Sequence, residues 1–93
     1  MAKRAVSAAG APHIDPVLTG SRIMAHMRKK KIHAKQVADE VRTTTAVVYA
    51  WTRGSAIPGM QNMARLAICL GCKIDDLIVM EEDEDGKSTD VNN

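Results

Sequence analysis

Between Val17 and Met80 the apolar side chains recur at three- and four-residue intervals, and no stretch alternates apolar with polar as a half-buried strand does. That spacing commits the chain to helices. Ile23, Met24 and Met27 mark a first helix near residues 20–31, which closes on Arg28-Lys29-Lys30-Lys31, a sign of charge suited to a helix C-terminus. Val37, Ala38 and Val41 mark a short second helix over 34–41. Thr43-Thr44-Thr45 interrupts it, and Thr44 is placed to cap a third helix over 45–53, with Val48 and Trp51 facing inward and Gly54 stopping it. Pro58-Gly59 opens a fourth helix over 60–70 with the stripe Met60, Met63, Ala64, Ala67 and Leu70, ended by Gly71. Asp75 and Asp76 begin a last short helix carrying Leu77, Ile78 and Met80. Val47-Val48-Tyr49 is β-prone but lies inside a helical frame. The expected fold is all-α.

The flanks read differently. Residues 1–16, rich in Ala, Gly, Ser and Pro, are expected to form a flexible arm; residues 17–80 are the folded domain. Residues 81–93, opening on Glu81-Glu82-Asp83-Glu84-Asp85, are expected to be a disordered acidic tail, because they cannot bury enough apolar surface to offset ordering entropy. With 93 residues and only Tyr49 and Trp51 as aromatics, the core must be aliphatic and small. No apolar run approaches the ~18 residues of a membrane span, so no membrane partner is expected. The first residues lack the apolar centre of a secretory leader, and two cysteines cannot staple an extracellular scaffold. A reduced, cytoplasmic setting follows as the expectation. The sequence offers no nucleophile–base pair, metal constellation or phosphate-binding glycine loop, so neither an enzyme nor a cofactor is expected.

Charge is divided along the chain. Residues 1–73 hold twelve Lys/Arg against three Asp/Glu, a net +9; residues 74–93 hold one Lys against eight Asp/Glu, a net −7. A basic body of this size points to a polyanion, nucleic acid first.

Two short helices, parted by three or four residues and followed by a capped third, make a helix-turn-helix pattern. The run Ala38-Asp-Glu-Val-Arg-Thr-Thr-Thr-Ala-Val-Val-Tyr-Ala-Trp-Thr-Arg-Gly-Ser-Ala-Ile-Pro58, continued by Leu66-Ala-Ile-Cys-Leu-Gly-Cys-Lys-Ile-Asp-Asp-Leu77, resembles the Cro/repressor-type, lambda-repressor-like helix-turn-helix domain over about residues 20–78. The resemblance implies a five-helix bundle that binds double-stranded operator DNA as a homodimer. The residue roles agree: Ala38 is small where two helices approach, and Val41, Val48 and Trp51 fix the angle of the third helix. A helix so held enters a major groove ~12 Å wide with its N-terminal residues against base edges.

By family register the third helix presents Thr44, Thr45, Ala46, Tyr49, Ala50 and Arg53. Its N-terminal half has no Arg, Gln, Asn or Lys, so bidentate base readout is missing there. Thr44, Thr45, Ala46 and Tyr49 are the expected base readers, largely through methyl and ring contacts, with DNA shape carrying much of the rest. Expected phosphate contacts are Lys35 and Gln36 at the start of the second helix, Arg42 and Thr43 in the turn, and Arg53 and Ser55 after the third helix. The family usually has Gly where Arg42 stands; a positive φ there costs Arg42 on the order of 1 kcal/mol. Its Gln at the start of the second helix is Ala34 here.

Ile78, Val79 and Met80 add apolar surface that a domain this small cannot hide, and form the expected dimer contact. Cys69-x-x-Cys72 reads either as a redox pair or half a zinc site, or as two small buried side chains, which the absence of a second pair favours. Arg28 to Lys31 is either a phosphate patch or a solvated helix end. The acidic tail is a solubiliser, a competitor of DNA for the basic face, or a contact for a partner such as RNA polymerase; exposed Asp39 and Glu40 are a separate candidate for that contact. The expectation is a small transcriptional regulator, most plainly a phage or mobile-element repressor. The alternative is an antitoxin or adaptor whose main partner is a protein.

Overall fold

The computed structural model describes residues 13–81; residues 1–12 of the expected arm and 82–93 of the expected acidic tail lie outside them. The elements run β1 (His13–Ile14), α1 (Pro16–Lys30), α2 (Ala34–Val41), α3 (Thr45–Arg53), α4 (Met60–Leu70), α5 (Ile74–Leu77) and β2 (Met80–Glu81).

Local chemistry accounts for most boundaries. Asp15 caps α1, its carboxylate accepting from the Leu18 amide at 2.9 Å, and Pro16 opens the helix with the φ a first turn needs. The Gln36 side chain accepts from the His33 amide at 3.2 Å and so closes the entry to α2. Thr44 Oγ1 accepts from the Val47 amide at 3.2 Å and caps α3. Gly54 and Gly71 end α3 and α4 in the left-handed region.

One layer of side chains joins the helices. Ile23 and Met27 of α1, Val37 and Val41 of α2, Val48 and Trp51 of α3, Met63, Leu66 and Leu70 of α4, and Leu77 of α5 are all buried in a single cluster. The approach of α1 to α3 is made by Gly20, packed against the Trp51 and Thr52 carbonyls.

The all-α, five-helix expectation holds, with two differences at its edges. The first helix begins at Pro16, not near residue 20, so residues 13–16 belong to the fold and not to the arm. The last helix stops at Leu77; Met80 and Glu81 instead pair antiparallel with Ile14 and His13. The reason is long-range: the Asp15 amide donates to Val79 O at 2.8 Å, and the buried Thr19 hydroxyl accepts from the Val79 amide at 3.0 Å. A segment so claimed by the start of α1 cannot continue as helix. His13 Nε2 stands 2.9 Å from Glu81 Oε1 and completes the pair.

Candidate nucleic-acid interface

The α2–turn–α3 unit is built as the pattern requires. Ala38 is buried where the two helices meet, and Val48 and Trp51 fasten α3 from beneath. Arg42 carries the turn at φ 69°, ψ 51°, and the Thr43 amide returns to Ala38 O at 2.9 Å. The predicted positive φ is therefore met, by an L-residue with a charged side chain. From α4, Arg65 Nη1 lies 3.5 Å from Val41 O, a long contact at the end of α2.

Burial of Val48 and Trp51 turns the opposite side of α3 to solvent. Ala46 and Arg53 stand near the middle of that side, with Tyr49 and Ala50 flanking and Thr45 at its edge, as the helical repeat dictates. Thr44, Ala46 and Arg53 are exposed, Tyr49 is 48% exposed, and Thr45 is half-buried. Of the four expected base readers, Ala46 and Tyr49 lie on this outward side, Thr45 at its edge, and Thr44 is exposed as the cap that precedes the helix. Ala46 and Ala50, four residues apart, keep the track shallow, so a flat surface can come close to the backbone. Thr44 spends a lone pair on its cap and keeps its proton to donate.

The expected phosphate contacts do not share one condition. Lys35 is exposed at the start of α2 and lies 3.7 Å from Asp39, a loose pair with little energetic hold. Gln36 gives its oxygen to the His33 amide, so its NH2 group remains outward-facing as a fixed donor. Arg42 is exposed and Thr43 half-buried. Ser55 donates its hydroxyl to Ala50 O at 3.2 Å and its amide to the same oxygen at 3.0 Å, so it must release Ala50 to reach a phosphate. Arg53, next to it, carries no such engagement among the described residues.

The dimer residues are also divided. Ile78 packs against the core of its own domain. Val79 has both backbone groups bound to Asp15 and Thr19, and its side chain lines a shallow groove of about 200 Å³ with Leu18, Ser21, Arg22 and Ala25. Met80 is 50% exposed, Val17 and Leu18 in the first turn of α1 are exposed too, and Leu18 lines the same groove as Val79. Sequence reading missed Val17 and Leu18; they follow from the earlier start of α1. It also missed Val47, exposed on α3, and Ile68, exposed on α4; Met60, expected in the inward stripe of α4, is instead 75% exposed at the first position of that helix.

Cys69 and Cys72 are half-buried and not bonded to each other. Burial, with help from the Glu40 carboxylate, pushes the Cys69 thiol up to about 11; burial and Asp76 raise Cys72. Neither has the thiolate character of a reactive pair. Among the described residues no group of His, Cys, Asp and Glu is arranged to hold a metal ion, and no helix is long and apolar enough to cross a membrane.

A family model described as helix-turn-helix matches residues 23–77. The fold is similar to the P22 c2 repressor, solved in complex with a synthetic operator: 30% identity, 64% of this chain and 91% of that one covered, TM-score 0.62. It is similar to the restriction-modification controller protein C.AhdI from Aeromonas hydrophila at 22% identity, over 68% and 96% of the two chains, TM-score 0.65. It also resembles part of hydroxypropylphosphonic acid epoxidase from S. wedmorenis, at 19% identity and TM-score 0.63, over 70% of this chain but 35% of the enzyme. Those last two likenesses concern the fold alone. No curated protein matches the sequence.

Proposed function

Because the chain belongs to the lambda-repressor-like helix-turn-helix family, we propose that this DNA-binding transcriptional regulator is a sequence-specific repressor of phage or mobile-element type, acting as a homodimer on a palindromic operator. The observation that carries the reading is the outward side of α3, which offers Ala46, Tyr49 and Arg53 to solvent while Val48 and Trp51 hold the helix from below. Thr44, Thr45, Ala46 and Tyr49 read bases by hydroxyl, methyl and ring contacts. Lys35, Gln36, Arg42, Thr43, Arg53 and, once it leaves Ala50, Ser55 hold the phosphates. The operator complex of the P22 c2 repressor supports DNA as the partner. The dimer contact centres on Val79 and Met80 with Val17 and Leu18, and half-sites then lie about one helical turn of DNA apart. Asp39 and Glu40, both exposed on α2, are the groups available to RNA polymerase.

The test is a selection of bound sequences from random duplex DNA, alongside mobility shifts on the DNA upstream of the protein's own gene. A recurring palindrome is expected, and Thr45→Ala with Tyr49→Ala should flatten its preferences. An unbiased pool, or unchanged preferences in the variant, overturns the assignment of readers. Met60 and Ile68, 75% and 82% exposed on α4, favour the second reading, an antitoxin or adaptor with a protein partner. Loss of a co-purifying protein on Met60→Lys or Ile68→Lys, with DNA selectivity absent, identifies that case.

A further inference from the structure

The corner between α1 and α2 holds cations that none of these assignments uses. Lys31 ends α1 in the left-handed region at φ 58°, ψ 44°, with its amide returned to Arg28 O at 3.1 Å and the Ile32 amide to Met27 O at 3.0 Å. The chain reverses there, Ile32 drops against the core, and His33 begins α2. Arg28, in the last turn of α1, and Lys31, its cap, line one groove of about 390 Å³ with Met24, Met27, Ile32 and His33. Its floor is thioether and alkyl, and its rim is cationic. Such a groove suits the aliphatic stems of Arg28 and Lys31 and leaves their charged ends in water.

Both cations are exposed, and the ion pairs among the described residues are His13–Glu81 and Lys35–Asp39, so no described carboxylate pairs with either one. Lys30 is different: it lies over Gly71 on another side of α1, near Cys72 and Asp76. Arg28 and Lys31 adjoin the first turn of α2, where Lys35 and the free amide group of Gln36 stand. In a helix-turn-helix the first helix of the motif crosses the DNA backbone while the second lies in the groove. On that docking the corner that precedes α2 would lie beside the backbone that α2 crosses.

We propose that Lys31 and Arg28 bind sugar–phosphate backbone outside the bases read by α3, extending the footprint on duplex DNA beyond each half-site. The inference rests on the DNA-binding reading above and adds a sequence-independent contact to it. Each phosphate neutralised releases condensed counterions, so each contact adds ~0.9 to the slope of log K against log salt.

The experiment measures fluorescence anisotropy over a salt series. One probe is a duplex from the random-sequence selection, trimmed to its selected bases; the other is the same duplex with several base pairs added at each end. The parent protein should bind the longer duplex more tightly and with the steeper slope. Arg28→Gln with Lys31→Gln should bind both alike, with the slope on the longer duplex lowered by ~2 per protomer. Lys31→Gly removes the charge while accepting the left-handed backbone, so its slope should fall by ~1 per protomer with the fold intact. Lys31→Arg should keep the parent slope. Equal binding of both duplexes by the parent, or an unchanged slope in the double variant, overturns this inference and leaves the DNA-binding reading standing. Failure of the parent to bind any duplex overturns both.

Discussion

A β-carbon on Gly20 would stand 2.3 Å from the carbonyl oxygen of Trp51 and 2.8 Å from that of Thr52. The first helix therefore rests directly on the backbone of the helix assigned to the groove, and its spacing from that helix is set by the absence of a side chain. Gly20→Ala must push the two apart, since backbone carbonyls do not yield as side-chain ends do. We expect a loss of about 3 kcal/mol, at the upper end of overpacking costs, measured as a lower urea midpoint. DNA affinity should fall as well, because α3 loses its support.

Arg42 holds φ 69° in the turn before α3. Arg42→Gly removes the β-carbon conflict of that conformation and should stabilise the domain by about 1 kcal/mol. The same change removes a cation from the proposed phosphate contacts. Stability and DNA affinity should therefore move in opposite directions, which thermal melts and anisotropy on one preparation will check.

Thr44 separates two roles that one residue serves. Thr44→Ala deletes the bond to the Val47 amide and should cost about 1 kcal/mol. Thr44→Asp keeps the cap and hence the stability, but sets a carboxylate against the DNA. It should melt like the parent and bind duplex far more weakly; equal binding removes Thr44 from the interface.

The Cys69 thiol, pushed up to about 11 from an ordinary 9.0 by burial beside Glu40, gives a pH dependence of defined sign. The folded chain favours the protonated form. Its contribution to stability is complete below pH 9 and is lost as pH rises through 11. At pH 8 the thiolate fraction is ~100-fold below that of an unperturbed thiol. Iodoacetamide labelling of Cys69, followed by mass spectrometry, should be correspondingly slow in the native protein and ordinary in urea. Fast native labelling at pH 8 contradicts the burial argument.

How far the residues announced this architecture depends on how local each signal is. The ends of α2, α3 and α4 match the expectation because their punctuation is adjacent in sequence: Thr44 before α3, Gly54 after it, Gly71 after α4. Asp15-Pro16 is an equally local start signal, but it ends a segment of Ala, Gly, Ser and Pro whose composition reads as an arm. The β1–β2 pair had no such signal at all. It joins residues at opposite ends of the sequence through Asp15, Thr19 and Val79, and two-residue strands carry no alternation to read. The outward set on α3 was legible because Trp51 and Val48 fix the helix's rotation. Ser55's engagement with Ala50 and the left-handed Lys31 were not, since both depend on the path of a turn.

The ladder between His13 and Glu81 has a practical corollary for anyone wishing to re-engineer the molecule. Entry and exit of the domain are neighbours, so a short bridge could splice them into a circular permutant, with fresh ends cut at the exposed Ser55-Ala56-Ile57 stretch. Conversely, tags fused directly to His13 and to Glu81 would crowd the same spot, beside Met80 and the surface assigned to pairing of two copies.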